Sequence, residues 1–289
     1  MKRKTFKVTF FVLVLLISYS LSFNRRQFVS DDLVHIWFLN VGQGDSILIK
    51  TPSEKYMLVD GNGDGYESIR GLLPLGECNL EVVVLTHPHF DHFSGLNSII
   101  DRCKIMTFIR SSLESESKSF KSLQEKMVLA QSNGKLGVNT VVKSSDDFSV
   151  DNIILDLLWP LEYSSDYTNF NNSSVVLLLT FQDFDLLLTG DAEKAVYDQL
   201  MDENTQFNSI EVLKYPHHGS KDAFNEVFLG QIRPMVSVIS VGEGNKYGHP
   251  SQLVLDSLTN LRSKVYRTDK NGTIEVVTDG KSFQVLTER

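Results

Sequence analysis

Four side chains able to ligate a metal fall within six positions of this chain, in Thr86-His87-Pro88-His89-Phe90-Asp91-His92. They follow directly on Leu80–Leu85, a continuous apolar run with β-branched residues, which predicts a strand buried on both faces. The fold must therefore cover that strand and leave its C-terminal end open. A dense turn there gathers imidazoles and a carboxylate around one point. His and Asp hold zinc at hydrolytic sites that keep a position free for water. Histidines in a turn also serve simply to cap a following helix, but three histidines and an aspartate packed this closely point to ligation.

Two later segments repeat the pattern of a strand ending in polar residues. Leu186-Leu187-Leu188 runs into Thr189-Gly190-Asp191, where the glycine permits a sharp turn. Asp191 either bridges two metals or N-caps a helix beginning near Ala192. Val212-Leu213-Lys214-Tyr215 runs into Pro216-His217-His218-Gly219-Ser220, where one histidine ligates and the other donates a hydrogen bond to substrate. Cys78 and Cys103 are the two cysteines of the chain, so a metal must be held by histidine and carboxylate. Those two cysteines either pair or remain buried free thiols. With 42% hydrophobic and 22% charged residues the chain is too apolar to be disordered, and it is long enough to bury a large core. Its net charge of −8 argues against coating nucleic acid through bulk positive charge.

Periodicity predicts strands at Leu33–Leu39, Ser46–Lys50, Tyr56–Val59, Ile153–Trp159, Val175–Phe181, Phe184–Thr189, Glu211–Tyr215, Met235–Val241, Val265–Thr268 and Thr273–Thr278. Helices are expected at Ser117–Gln131, Ala192–Met201 and Leu253–Leu261. Strands interleaved with helices, without internal repeat or low-complexity linker, suggest one α/β sandwich. The first 22 residues read as a targeting segment. Lys2, Arg3, Lys4 and Lys7 precede an apolar run, with small residues at Ser18, Ser20 and Ser22. The segment is a cleaved secretory signal or an uncleaved anchor just short of the ~20 residues that span a bilayer. Its removal takes away four cations and moves the net charge from −8 to −12. Export would place both cysteines in an oxidising compartment.

The H-x-H-x-D-H run, the later Asp191 and the late histidine pair together resemble the metallo-β-lactamase superfamily. Within it, Phe38-Leu39-Asn40-Val41-Gly42-Gln43-Gly44-Asp45-Ser46 resembles the opening motif of the hydrolase domain of ComEC competence proteins. Leu58-Val59-Asp60-Gly61, Asn171-Asn172-Ser173-Ser174, Gly248-His249-Pro250-Ser251 and Tyr266-Arg267-Thr268-Asp269-Lys270-Asn271-Gly272 follow in that subfamily's order, over roughly residues 34–278. The resemblance implies a four-layer αββα sandwich, two facing mixed β-sheets flanked by helices, over residues 33–289. With no apolar span after residue 23, a stand-alone exported relative without the membrane channel of competence proteins is expected.

Carried over by position, the resemblance assigns His87 and His89 to a first metal, and Asp91, His92 and His218, with His217 as the less favoured alternative to His218, to a second. Asp191 bridges both. Asp91, Asp191 and His217 are the expected catalytic residues. Asp60 orients a ligand imidazole, and Asn172, Ser174, Ser220, Lys221 and His249 are expected behind the ligands or on the substrate rim. The chain departs from the wider superfamily in one respect. None of its seven histidines lies between His92 and Asp191, and Asn171–Ser174 stands there instead. The first site is then finished by water, substrate or His217. Gly42-Gln43-Gly44-Asp45 lacks the lysine and spacing of a P-loop and reads as a strand-to-strand turn, with Asp45 and Ser46 making local hydrogen bonds.

Two divalent ions, zinc first and manganese second, would lower the pKa of a shared water toward ~7 and supply the hydroxide that attacks the substrate. The implied activity is a phosphodiesterase or nuclease acting on a phosphodiester, with nucleic acid the leading substrate. The alternatives are hydrolysis of a carboxyl derivative such as a β-lactam or thioester, and a metal-binding module without turnover. No obligate protein partner is expected, and membrane contact only through an uncleaved N-terminal segment. The protein would be secreted, periplasmic or anchored.

Overall fold

A computed structural model describes residues 31–141, 146–161, 169–202, 207 and 210–289. Residues 1–22, expected to be a targeting segment, lie outside them. Leu33–Arg289 form one compact unit. Its strands are β1 (Val34–Phe38), β2 (Ser46–Lys50), β3 (Tyr56–Gly61), β4 (Asn79–Leu85), β5 (Lys104–Arg110), β6 (Leu136–Val141), β7 (Phe148–Val150), β8 (Ile153–Trp159), β9 (Val176–Phe181), β10 (Phe184–Leu188), β11 (Val212–Lys214), β12 (Val236–Ile239), β13 (Lys264–Arg267), β14 (Ile274–Thr278) and β15 (Phe283–Thr287). The described helices are α1 (Tyr66–Ile69), α2 (Phe90–Phe93), α3 (Leu96–Arg102), α4 (Lys118–Ser132), α5 (Lys194–Asp202), α6 (Glu226–Ile232), α7 (Gln252–Asn260) and α8 (Thr268–Asn271).

Two mixed sheets face each other. The first runs β15-β14-β1-β2-β3-β4-β5-β6, antiparallel up to β3 and parallel beyond it. The second runs β13-β12-β11-β10-β9-β8-β7, parallel up to β10 and antiparallel beyond it. Alternation along the strands sorts the side chains into three apolar layers. Ile47 and Ile49 of β2, Val82 and Val84 of β4, and Leu186 and Leu188 of β10 fill the space between the sheets. Leu48, Leu80, Val83 and Leu85 face outward, beneath Phe93, Leu96, Ile99, Phe120 and Leu123 of α2, α3 and α4. Leu187 and Leu213 face the opposite side, beneath Val196, Tyr197, Phe228 and Leu258 of α5, α6 and α7. The result is the expected αββα sandwich.

Most strands lie within a residue or two of their expected spans. Four were not anticipated: β5, β6, β7 and β15. The helix expected from Ala192 begins at Lys194, so Asp191 stands upstream of it. Cys78 and Cys103 form a disulfide that ties the chain entering β4 to the chain entering β5, beside the bond from the Lys104 amide to the Cys78 carbonyl at 2.8 Å. Among the described residues no helix is long and apolar enough to cross a membrane.

Candidate metal centre

The three segments singled out in the sequence converge at one end of the sandwich, because they leave the C-terminal ends of β4, β10 and β11. Asp60 arrives from β3 by a bulge. Ser46 pairs with Gly61 and Ile47 with Val59, leaving Asp60 unopposed with φ of 56°. An extra residue of this kind re-aims its side chain. The Asp60 carboxylate accepts from the Thr86 amide (2.8 Å), the Thr86 hydroxyl (2.8 Å) and His92 Nδ1 (2.7 Å).

These bonds settle which ring nitrogens face the centre. The single Thr86 hydroxyl proton goes to Asp60, so that oxygen accepts from His87 Nδ1 at 3.1 Å. His92 donates its Nδ1 proton to Asp60, and His218 Nδ1 donates to the Ser240 carbonyl at 2.9 Å. The Nε2 atoms of His92 and His218 then lie 3.3 and 3.4 Å from Asp191 Oδ2, and that of His87 lies 3.9 Å from it. Asp91 Oδ2 is 3.6 Å from His218 Nε2. Asp191 is itself held by the hydrogen bond from its backbone amide to Ser174 Oγ, 3.1 Å. This is what the Asn171–Ser174 segment contributes in place of a further histidine.

Loop conformations that few residues tolerate bring these groups together. His217 and His218 both adopt left-handed backbone, φ 47° and 53°. Such angles cost free energy outside glycine and are kept where the surroundings enforce them. Gly44, with φ of 120°, lets its turn lie against the Asp91 backbone, where a Cβ would sit 2.1 Å from the Asp91 carbonyl oxygen.

The electrostatics couple these side chains tightly to one another. Burial alone would raise Asp191, but the flanking His218 and His92 hold its carboxyl well below the usual range. Burial likewise opposes charge on His92 and His218. Asp191 and Asp60 nevertheless push His92 well above an ordinary imidazole, and Asp191 and Asp91 carry His218 up to about 9. Burial, with His92 alongside, drives His87 well below its ordinary value. His92 Nε2, His218 Nε2 and Asp191 Oδ1 are buried without a hydrogen-bond partner. Native interiors rarely leave such atoms unmet. Orphaned ring nitrogens and carboxylate oxygen aimed at one spot, each ring fixed from behind at Nδ1, suit a divalent cation. Donor atoms of His87, His92 and Asp191 lie within 4.8 Å of one another, as do those of Asp91, His92 and His218.

The remaining anticipated residues are distributed around this core. His89 contacts His87 (3.0 Å) and Phe170 but enters none of the three-residue donor groups formed by described residues. His218, not His217, reaches the cluster. His217 lies at the rim, its Nδ1 3.5 Å from Glu193 Oε1 and its ring 5.7 Å from that of His249. Glu193 is clamped by Asn169 and Asn171, each 2.8 Å away, and Asn172 Oδ1 accepts from its amide. His249 stacks on Tyr247. Lys221 is exposed. Ser220 is turned to local use, accepting from the Asp222 amide to cap the turn at Lys221–Ala223.

Asp45 requires correction. It was expected to make local bonds in a glycine turn, but its side chain is buried, ion-paired with Lys214, and 3.6 Å from His218 Nδ1. It also joins two of the candidate donor groups. Strand phase carried the missing signal. Lys214 is in step with Val212, and Asp45 with Ile47 and Ile49, all of which face the inter-sheet layer.

Residues 39–243 match the family described as Metallo-beta-lactamase superfamily. The chain is 31% identical over 257 residues to ComE operon protein 3 of Bacillus subtilis, covering 82% of this chain and 32% of that protein. It is 27% identical over 244 residues to Recombination protein 2 of Haemophilus influenzae, covering 82% and 28%. The chain thus spans about a third of the length of these relatives. The metallo-beta-lactamase fold protein YhfI from Bacillus subtilis superposes with a TM-score of 0.56 at 10% identity, over 85% of this chain and 100% of that one.

Proposed function

Because this chain belongs to the metallo-beta-lactamase superfamily, we propose that it is an exported, divalent-metal-dependent phosphodiesterase whose leading substrate is nucleic acid. The observation that carries this reading is the aim of His92 Nε2, His218 Nε2 and the Asp91 and Asp191 carboxylates at one buried point. His87 and His89, Asp91, His92 and His218, with Asp191 between them, would hold two ions, zinc first and manganese second. Bound there, such ions supply Lewis-acid stabilisation of charge on phosphate oxygens and a water acidic enough to attack near neutral pH. The chain's own residues do the rest. Asp60 and the Ser240 carbonyl fix the ring orientation of His92 and His218. Ser174 fixes the approach of Asp191. His217, between Glu193 and His249 at the rim, is the side chain we assign to the leaving oxygen.

A relative named for recombination supports nucleic acid as the substrate. The net charge of −8 points to single strands or short oligonucleotides over long duplexes. The Cys78–Cys103 disulfide supports residence in an oxidising compartment. The test is to purify the full chain, measure bound metal, and assay bis(p-nitrophenyl) phosphate, a labelled oligonucleotide and a chromogenic β-lactam in parallel. Turnover of the two phosphodiesters, abolished in Asp191→Ala together with loss of metal, is expected. Turnover of the β-lactam alone, or metal without any turnover, would replace this reading by one of its two rivals.

A further inference from the structure

Lys214 and Asp45 are both about 1% exposed, yet neither role assigned above uses them. Their charges pair directly. The Lys214 ammonium also donates to the Gly190 carbonyl at 3.1 Å, and Gly190 is the residue before Asp191. The backbone of Lys214 closes the same corner, since its carbonyl accepts from the Thr189 hydroxyl at 2.7 Å. Lys214 ends β11 in the second sheet, whereas Asp45 leads into β2 in the first. One side chain therefore fastens a turn from each sheet at the edge of the inter-sheet layer.

Asp45 stands behind the ligand candidates. Its carboxylate is 3.6 Å from His218 Nδ1 and 3.9 Å from His92 Nδ1, and its amide donates to the Asp91 carbonyl at 3.2 Å. Displacing Asp45 would disturb Asp91, His92 and His218 together. Displacing Gly190 would move Asp191. Four carboxylates crowd this end of the molecule, those of Asp45, Asp60, Asp91 and Asp191, and Lys214 is the lysine or arginine buried among them within the described residues. The ion pair gives the buried Asp45 carboxylate a partner without occupying the point at which the Nε2 atoms converge.

We propose that Lys214 is a positioning residue of the metal centre, a fixed internal cation that sets the spacing between the Asp45 and Asp191 turns and keeps Asp45 from ligating the ions itself. The proposal rests on the metal-centre reading above. Its test uses the purified full chain, stripped and titrated with Mn²⁺ by calorimetry and with Co²⁺ by absorption. The variants are Lys214→Met, Asp45→Asn and the double variant Lys214→Met/Asp45→Asn. Lys214→Met should bind Mn²⁺ about 10- to 100-fold more weakly, the range seen when supporting partners of ligands are lost, and should shift the Co²⁺ spectrum. The double variant should recover thermal stability, because no unpaired carboxylate remains, while its metal affinity stays low. A purely structural role predicts that stability and affinity recover together. Wild-type affinity in a folded Lys214→Met, or in the double variant should Lys214→Met fail to fold, would overturn the proposal. A wild-type chain that binds Mn²⁺ but cleaves no phosphodiester would sink the phosphodiesterase reading and leave this one standing. A wild-type chain that binds no divalent ion would overturn both.

Discussion

Replacing Asp60 by asparagine tests the logic of the centre without altering its shape. Asp60 Oδ1 accepts from the Thr86 amide, and the asparagine would keep that bond through its own carbonyl oxygen. Oδ2 accepts from two donors, the Thr86 hydroxyl and His92 Nδ1. An NH₂ group there faces both donors and can satisfy neither as it stands. The local remedy is for His92 to move its proton to Nε2, so that Nδ1 accepts. The ring would then present a proton, instead of a lone pair, to the point it shares with Asp191 and His218. Losing the charge-assisted bond should cost about 1.5–3 kcal/mol of stability. Losing the anchored tautomer should weaken metal binding about 10- to 100-fold, or roughly 1.4–2.7 kcal/mol. The assays are thermal melting, calorimetric titration with Mn²⁺, and nitrogen NMR of the imidazoles in Zn²⁺-loaded protein. A variant that binds within about twofold of wild type and keeps the His92 proton on Nδ1 would refute the reasoning.

Reducing the Cys78–Cys103 bond, or making Cys103→Ser, should remove about 3.5 kcal/mol through the entropy of a closed loop spanning a sequence separation of 25; melts with and without reductant should differ by about 7–14 °C, and a shift near zero would deny the bond its stabilising role. Gly44→Ala meets the Asp91 carbonyl and a left-handed φ at once, so it should lower both melting temperature and metal content; unchanged metal loading would show that this turn does not position Asp91. In chelated protein the raised His218 contributes stability that is complete below its ordinary 6.5 and is lost as pH rises through about 9. Melting temperature in chelator should therefore fall between pH 6.5 and 9, whereas metal affinity should rise as the competing proton leaves; a flat profile for both would contradict the His218–Asp191 coupling.

The ligand candidates were legible because each lies at the end of a strand whose apolar run is unmistakable. Leu80–Leu85, Leu186–Leu188 and Val212–Leu213 announce buried strands, and the polar residues that follow must leave the core there. The two outer strands β6 and β15 gave no such signal. β15 buries no residue fully, and β6 buries Leu136 alone. Their pairing is set by the exposed backbone of a neighbour, with no apolar stripe of their own to mark it. The bulge that turns Asp60 inward is equally silent, since it arises from how β3 registers against β2.

From its residues alone this chain determined a His- and Asp-rich centre and the strands that carry it, because hydrophobic periodicity is a local property; the αββα layering was implied by the family resemblance of its motifs. Which of His218 and His217 reaches the cluster, the disulfide, and the pairing of Asp45 with Lys214 were decided only in three dimensions. Each depends on which remote turn is brought within about 4 Å, and over that range the Coulomb energy of a buried charge outweighs any preference written into its neighbours in sequence.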